Sequence, residues 1–160
     1  MKILVISYHT CPVNKLGSKD AGGLNIYLHE ISKELGTIGH EVDIFTRKHD
    51  IRDPLEIAIN DNSKVVHLDA GDLSEVKHQM HNFIDLFTVN LMNYINEQNS
   101  QYDLIYSNYW MSGMVGDLIS EQLKIPHIIT FHTMGLTKRT VNYLENESDF
   151  RIDNELDLIQ

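Results

Sequence analysis

The sequence predicts an α/β protein with an open, Rossmann-like parallel sheet and helices on both of its faces. Short apolar runs rich in Ile and Val alternate with longer stretches in which apolar residues recur every three or four positions. The short runs are almost continuously apolar, as strands buried on both faces are. Strands that alternate with helices at this spacing form βαβ units, and such units build a parallel sheet.

Five apolar runs are the predicted strands. The first, residues 2–7, is rich in β-branched side chains and is typical of a central strand. The others are residues 41–46, 64–68, 104–107 and 127–131. The segment 47–63 is polar, irregular and interrupted by Pro54, and we interpret it as an excursion on the surface.

Helical periodicity predicts five helices between and after these strands. In residues 24–38 the apolar positions Leu24, Leu28, Ile31 and Leu35 fall on one face, and Gly39 is placed to end the helix. The other predicted helices are residues 74–98, 112–123, 135–144 and 150 to the end. The last helix is predicted to be still in mid-course at Gln160, so we expect the parent protein to continue beyond it.

Composition excludes several classes of function. The chain has 160 residues, the size of one domain, and a formal charge of −10, which argues against binding a nucleic-acid backbone. No apolar run approaches the roughly 20 residues that span a bilayer, and the start lacks the pattern of a signal peptide. A single cysteine, Cys11, excludes an internal disulfide. We therefore expect a cytoplasmic protein.

Ligands of such sheets bind beyond the carboxyl ends of the strands. A long loop after the first strand leads to Gly22 and Gly23 at a helix start, where free amides favour a phosphate or pyrophosphate. The alternative is a simple turn between loop and helix. Neither a Gly-Lys-Ser/Thr sequence nor the G-x-G-x-x-G spacing is present, so this is neither a Walker loop nor a dinucleotide fingerprint.

Polar and aromatic residues follow three other strand ends. His132 and Thr133 come directly after the fifth strand, and Tyr109 and Trp110 follow the fourth. His9, after the first strand, belongs to the same rim. For each there is a structural alternative: a capping Thr with a half-buried His, and a Tyr–Trp pair packed in the core. The sequence alone leaves both interpretations open.

Other candidate patterns are weaker. His78 and His81 are spaced for a shared metal, but no third ligand follows in the pattern, so a solvated helix face is favoured and no metal or cofactor is predicted. Cys11 has no base beside it in the sequence. The acidic stretches 145–149 and 153–157 are interpreted as solvated, and no carboxylate pair has the spacing of a glycosidase dyad.

Five segments of the chain resemble one family. They are residues 20–27 (DAGGLNIY), 39–47 (GHEVDIFTR), 102–113 (YDLIYSNYWMSG), 125–133 (IPHIITFHT) and 151–155 (RIDNE). In this order they resemble the amino-terminal half of the family-four retaining glycosyltransferases. That family has the GT-B fold and includes sucrose synthase, sucrose-phosphate synthase and the mycothiol-pathway glycosyltransferase.

The resemblance implies roles for named residues. Gly22 and Gly23 would present amides to the diphosphate of a UDP-, ADP- or GDP-sugar donor, and Asn25 would lie beside the acceptor. His132 would sit under the transferred sugar, and retention would need no enzymic nucleophile because the donor phosphate takes the acceptor proton. In members with phosphorylated acceptors, the phosphate ligands correspond to Lys77, Tyr109, Thr133 and Arg151.

The chain also departs from the family pattern. Tyr106 and Asn108 replace the histidines of the family's H-x-H stretch, and Cys11 stands where a Ser is common. In the family, the nucleotide-sugar domain carries a Glu-x7-Glu motif with Lys and Arg nearby, and no segment of residues 1–160 resembles that domain. We therefore expect the chain to be the acceptor-side domain, residues 1–160, of a longer enzyme, inactive without its carboxyl-terminal partner.

Two other hypotheses stay open on the sequence alone. The chain could be a non-catalytic α/β module that binds a sugar phosphate, which requires measurable affinity for one. It could also be a purely structural domain, in which case mutation of Gly23 or His132 would leave turnover intact. The hypothesis of a glycosyltransferase domain is favoured over both by the order of the motifs.

Overall fold

The structure is a computed structural model that describes residues 1–14, 22–74, 79–141 and 147–160. Its strands are β1 (Lys2–Ile6), β2 (Glu41–Arg47), β3 (Glu56–Asn60), β4 (Ser63–Leu68), β5 (Leu104–Asn108) and β6 (His127–Thr130). Its helices are α1 (Gly23–Thr37), α2 (Ile84–Glu97, after a 3-10 turn at Met80–Phe83), α3 (Trp110–Leu123), α4 (Gly135–Val141) and α5 (Asp149–Asp157). Helices and strands alternate along most of the chain, as predicted.

The described strands form one sheet in the order β3-β4-β2-β1-β5-β6. β1 lies in its middle, with Val5 paired in parallel with Ile44 of β2 on one side and with Tyr106 of β5 on the other. β6 extends the sheet in parallel beyond β5. The chain leaves β1, β5 and β6 at the same edge of the sheet, so the loops that follow these strands meet there.

The sheet is covered by helices on both faces. On one face Leu28 of α1 packs in a cluster with Val5 and Ile44. On the other face the larger cluster joins Leu4 and Ile6 to side chains of α2 and α3 such as Phe87. Adjacent residues of β1 serve opposite clusters, and this explains why its sequence is apolar throughout. The predicted fold class is confirmed.

Most predicted elements are confirmed at nearly the predicted positions. α1 ends at Thr37, and Gly39 adopts a φ of +92°, a left-handed conformation that glycine adopts without strain. β1, β2, β4, β5 and β6 correspond to the predicted strands. α3 begins two residues earlier than predicted, at Trp110. Residues 142–144 of the predicted fourth helix lie outside the described residues.

Three predictions about the elements are wrong. The surface excursion contains β3, an edge strand antiparallel to β4. In β3 the residues Ile57 and Ile59 are separated by Ala58, so the strand is too short and too weakly alternating to give a clear period-two pattern. The helix predicted from residue 74 begins at Ile84. Ser74 instead donates its amide and hydroxyl to the Asp72 carboxylate, a local turn that competes with a helix. The last helix ends at Asp157.

Candidate functional site

Residues from three strand ends meet at the carboxyl edge of the sheet. The His9 ring, after β1, lies 4.4 Å from the ring of Tyr109, after β5, measured between centroids. Tyr109 in turn lies beneath the guanidinium of Arg151, whose Cζ is 4.9 Å from the ring centroid. Burial raises the pKa of the Tyr109 hydroxyl, so it stays protonated and can donate a hydrogen bond. The structure thus brings together residues that are more than forty positions apart in sequence.

Arg151 is the centre of this cluster. Its side chain is only 4% exposed, yet it projects from α5 toward the loop after β6. Nη2 donates to the Thr133 carbonyl oxygen at 2.8 Å and lies 3.3 Å from the Thr133 hydroxyl. Nε donates to the Glu155 carboxylate at 2.6 Å, and Nη1 lies 2.9 Å from that of Glu147. Tyr109, Thr133 and Arg151 therefore form one contiguous group.

His132 is adjacent to this group. Its Nε2 lies 2.9 Å from Oδ1 of the buried Asn108, so an Nε2–H donated to that oxygen leaves Nδ1 as the acceptor nitrogen. Desolvation lowers the pKa of the His132 ring, which favours the neutral form. The ring of Tyr27, on the first turns of α1, lies 5.2 Å away in an edge-on arrangement. His132 thus connects the Arg151 group with α1.

Backbone strain marks two of these residues. Tyr109 has φ +78° and ψ +156°, a region that residues with a side chain rarely adopt, and His132 has φ +60°. Each such residue costs of the order of 1–3 kcal/mol and persists only when its surroundings impose it. Asn99 and Lys124 also have positive φ, but both lie just after a helix end, where this is common. The strained pair marks the strand-end loops independently of the sequence motifs.

The start of α1 is built differently. Gly22 is the N-cap residue, and a Cβ added to Gly22 or Gly23 would meet no heavy atom of the described chain within 4 Å. The first turn of the helix contains no acidic residue. Because Gly22 has no side chain with which to cap the helix, the amides of Gly23 and Leu24 receive no bond from an N-cap side chain, an arrangement that favours an anion.

Asn25 is buried and holds the loop after β1. Its Nδ2 donates to the Cys11 carbonyl oxygen at 2.7 Å, and its Oδ1 accepts from the Thr10 hydroxyl at 2.6 Å. The same oxygen lies 3.4 Å from the Gly22 amide nitrogen. These bonds fix the loop against the start of α1. The predicted direct contact of Asn25 with an acceptor stays a prediction.

A cleft of about 550 Å³ opens beside these residues. It is lined by Phe131, His132, Thr133, Met134, Thr137, Lys138 and Val141. Two predicted site residues, His132 and Thr133, therefore share a concave surface with a cation, Lys138. Lys77, also predicted to bind the acceptor, lies outside the described residues, as does His78.

Several interpretations from the sequence are corrected here. Glu147 and Glu155, placed in solvated acidic stretches, have side chains only 19% and 1% exposed because both pair with Arg151. Of the Tyr–Trp pair, Trp110 is packed in the core and Tyr109 faces the site. Cys11, which has no base beside it in the sequence, is buried with its sulfur 3.2 Å from His67 Nε2 of β4.

His81 is not on a solvated helix face. It belongs to the 3-10 turn, and its ring centroid lies 4.5 Å from that of Phe150. Asn108, noted in the sequence as a departure from the family's H-x-H stretch, is the last residue of β5 and contacts His132. Sequence reasoning missed Lys138 and Glu147 as residues of the site region. Neither residue carried a signal in the sequence, because their relation to Arg151 depends on how α4 and α5 pack.

Comparison with known proteins identifies the family. Residues 21–156 match the family model described as Glycosyltransferase Family 4. This chain belongs to glycosyltransferase family 4. The match includes the start of α1, the loops after β5 and β6, and most of α5, so nearly all candidate site residues lie within it. The resemblance seen in the motifs is confirmed.

Individual relatives agree with the family assignment. The chain is 36% identical over 140 residues to a D-inositol 3-phosphate glycosyltransferase of Corynebacterium kroppenstedtii. This match covers 87% of this chain and 31% of the relative. It is 34% identical over 152 residues to the protein of the same name from Corynebacterium urealyticum, and this match covers 94% of this chain and 35% of the relative. This family-4 domain thus spans about a third of the length of these curated relatives.

A solved structure supports the fold. The sucrose-phosphate synthase of Thermosynechococcus elongatus superposes with a TM-score of 0.89 at 30% identity, covering 98% of this chain and 39% of that one. The fold of this family-4 domain is therefore that of the matching part of a GT-B glycosyltransferase. Among the residues described, no helix combines the length and the apolar character needed to cross a membrane.

Proposed function

We propose that this chain is the amino-terminal, acceptor-side domain of a retaining glycosyltransferase. The enzyme would move a sugar from a nucleoside diphosphate sugar to a small hydroxylated acceptor that carries a phosphate. The observation that carries the proposal is the convergence of Arg151, Thr133 and Tyr109 beside His132 at the carboxyl edge of the sheet. Residues 1–160 then form one half of the active site, and a carboxyl-terminal nucleotide-sugar domain supplies the other.

The acceptor phosphate fits the Arg151 group. A planar guanidinium presents several N–H donors to phosphate oxygens, and hydroxyls complete such a site. Here the Thr133 hydroxyl lies 3.3 Å from Nη2, and the neutral Tyr109 lies directly against the guanidinium. Lys77 would be a further ligand on the strength of the family resemblance. The relatives named D-inositol 3-phosphate glycosyltransferase make an inositol phosphate the first acceptor to test.

The donor diphosphate fits the start of α1. Backbone amides at a helix amino terminus and the helix dipole favour negative charge. Gly22 and Gly23 leave that backbone accessible, and the bonds of Asn25 to the loop after β1 hold it in place. A diphosphate bound there would lie on the side of His132 where Tyr27 packs. Donor and acceptor would then approach each other over His132.

Retention is proposed to proceed without an enzymic nucleophile. In the Arg151 group, both neighbouring carboxylates, Glu147 and Glu155, are ion-paired, so neither is placed to attack an anomeric carbon. The donor phosphate would instead take the acceptor proton as the new glycosidic bond forms on the face that the diphosphate leaves. His132, held by Asn108, would position the sugar by its ring and main chain. His9, whose ring packs against Tyr109 at a tilt, would complete the acceptor rim.

Product detection with the full-length protein tests this proposal. UDP-, ADP- and GDP-sugars are each combined with D-inositol 3-phosphate, with a hexose phosphate and with the unphosphorylated forms of both. We expect one donor class to give product, with the phosphorylated acceptor preferred and the anomeric configuration retained. Preference for free sugars would contradict the phosphate site. Binding of a sugar phosphate without transfer from any donor would support a binding module instead.

A further inference from the structure

A carboxylate already lies in the proposed phosphate site. One Glu147 oxygen is 2.9 Å from Arg151 Nη1, and the other is 3.2 Å from Lys138 Nζ. Two cations from different helices are thus bridged by the two oxygens of one anion, which is how they would bridge two phosphate oxygens. Burial alone would raise the pKa of the Glu147 carboxyl, but these cations outweigh it and the pKa lies below its usual range.

Lys138 belongs to the same site as Arg151. It lies in the lining of the cleft that His132 and Thr133 also line, and its backbone follows their loop through the bond from its amide to the Met134 carbonyl. Its ammonium group reaches the Glu147 carboxylate from the α4 side, while Arg151 reaches it from α5. A ligand phosphate in the cleft beside Thr133 would therefore meet both cations.

The other carboxylate on Arg151 behaves differently. Glu155 is 1% exposed, and besides its bond to Nε it accepts the Gly135 amide at 2.7 Å. It is fixed by a backbone bond and by burial, whereas Glu147 is 19% exposed and precedes α5 at the rim of the cluster. Displacing Glu155 would leave a buried amide unpaired. Displacing Glu147 only exchanges one anion for another on the same donors.

We propose that Glu147 is an internal substitute for the acceptor phosphate, and that Lys138 is a second phosphate-binding cation. A phosphorylated acceptor displaces the Glu147 carboxylate, and its phosphate then binds Arg151 and Lys138. An unphosphorylated acceptor has no charge with which to displace it, so Glu147 sets the specificity for phosphate. The inference rests on the proposed function of the Arg151 group as an acceptor site.

Charge removal at position 147 tests the exchange. Calorimetry of the full-length protein measures affinity for D-inositol 3-phosphate, inorganic phosphate and myo-inositol. We expect Glu147→Gln to tighten binding of both phosphate probes by about tenfold, because the competing charge is gone, and to leave myo-inositol binding unchanged. Asp149→Asn is the matched control: it removes the same charge two residues away, where Asp149 is 83% exposed and paired with Arg139.

Three results would overturn the inference: no tightening in Glu147→Gln, equal tightening of myo-inositol binding, or the same gain in Asp149→Asn. Absence of phosphate binding in both wild type and Glu147→Gln would overturn it too. Failure of the proposed function alone has a different signature. There, no sugar is transferred, but the phosphate probes still bind more tightly to Glu147→Gln. Thermal melting of each variant confirms that it is folded.

A second substitution isolates Lys138. In the Glu147→Gln background, where Lys138 no longer has that carboxylate as partner, we expect Lys138→Gln to weaken binding of both phosphate probes by about tenfold. Arg139→Gln in the same background is the control, since Arg139 pairs with Asp149 at the surface. Unchanged binding in the Lys138 variant would show that this lysine only neutralises Glu147, and would overturn its assignment as a phosphate ligand.

Discussion

The proposed donor half and the proposed acceptor half of the candidate site are built on opposite principles. The donor half is open backbone: two glycines at the start of α1 with no described atom near where their side chains would lie. The acceptor half is a dense network of side chains, in which the buried Arg151 is held by two carboxylates, a backbone carbonyl and an aromatic ring. One half presents main-chain amides to a ligand, and the other half presents a cation that already has counter-ions.

This difference indicates how much the residues of each half contribute to the stability of the domain. The acceptor half must satisfy a charge in a buried place, so it supplies internal anions, and its residues contribute to stability as well as to binding. The donor half leaves polar backbone at the protein surface, so its glycines contribute little to the stability of this domain. Mutations in the acceptor half should therefore damage folding first, and mutations in the donor half should damage only function.

The largest expected effect is on Arg151. Arg151→Met leaves Glu155 buried without its cation and should lower the free energy of unfolding by about 3–5 kcal/mol. Arg139→Met, which breaks an ion pair to the exposed Asp149, should cost about 0–1 kcal/mol. Urea unfolding of both variants measures the difference. Similar losses would mean that the Arg151 network is not a stabilising unit.

Two helical glycines separate folding from function. A Cβ at Gly116 would overlap the side chains of Ser107 and His127, so Gly116→Ala should cost about 1–3 kcal/mol. Gly23→Ala should leave the free energy of unfolding unchanged or slightly higher, since the added methyl meets no atom of the described residues and alanine restricts the unfolded chain.

The turnover of the full-length enzyme should be affected in the reverse order, more by Gly23→Ala than by Gly116→Ala. Gly23→Ala should lower turnover by at least about tenfold, the loss expected when a side chain intrudes between helix amides and a diphosphate. Gly116→Ala should retain turnover once folded. Full activity of the Gly23 variant would favour a purely structural role for this turn.

Acid should destabilise the domain through His127, the first residue of β6. Desolvation lowers the pKa of His127, whose Nε2 lies 2.9 Å from the Ser107 hydroxyl. The unfolded state then binds more protons than the folded state, so stability falls as the pH falls below about 6.5, the value for an unfolded histidine. His127→Gln should flatten this dependence between pH 7.5 and 5.5 in urea unfolding. An unchanged slope would assign the acid sensitivity to other groups.

A reactivity measurement at Cys11, whose carbonyl oxygen accepts from Asn25, tests the packing beside the proposed donor half. Burial raises the pKa of its thiol to about 11, so at pH 8 almost none is thiolate. Alkylation by iodoacetamide should be slower in the folded protein than in urea by on the order of a hundredfold. Rapid alkylation of the native protein would show that the loop after β1, which Asn25 fastens, opens readily.

Sequence predicted the parts of this molecule that depend on local pattern. The apolar run of β1 is a clear signal because this strand is buried on both faces. The helical period of α1 is a clear signal because this helix buries one stripe of side chains. β3 was missed because its alternation covers only Glu56–Asn60. The strand-end positions of His9, Tyr109, His132 and Thr133 followed from the rule that parallel strands end at one edge.

What sequence could not supply was the pairing around Arg151. Glu147, Arg151 and Glu155 are spaced four apart, which predicts only exposed helical ion pairs. Their burial depends on α5 packing against the loop after β6 and against α3, a contact between distant segments. For the same reason the left-handed backbone of Tyr109 and His132 left no trace in residue types.

The central claim is that one half of the site serves the donor and the other the acceptor, and steady-state kinetics of two variants tests it most directly. Thr133→Val keeps the carbonyl that binds Arg151 and removes only the hydroxyl. In the full-length enzyme we expect it to raise KM for the phosphorylated acceptor about tenfold and leave donor KM unchanged. Gly23→Ala should raise the KM for the donor and leave the KM for the acceptor unchanged. If both variants raise the same KM, the division into donor and acceptor halves is wrong.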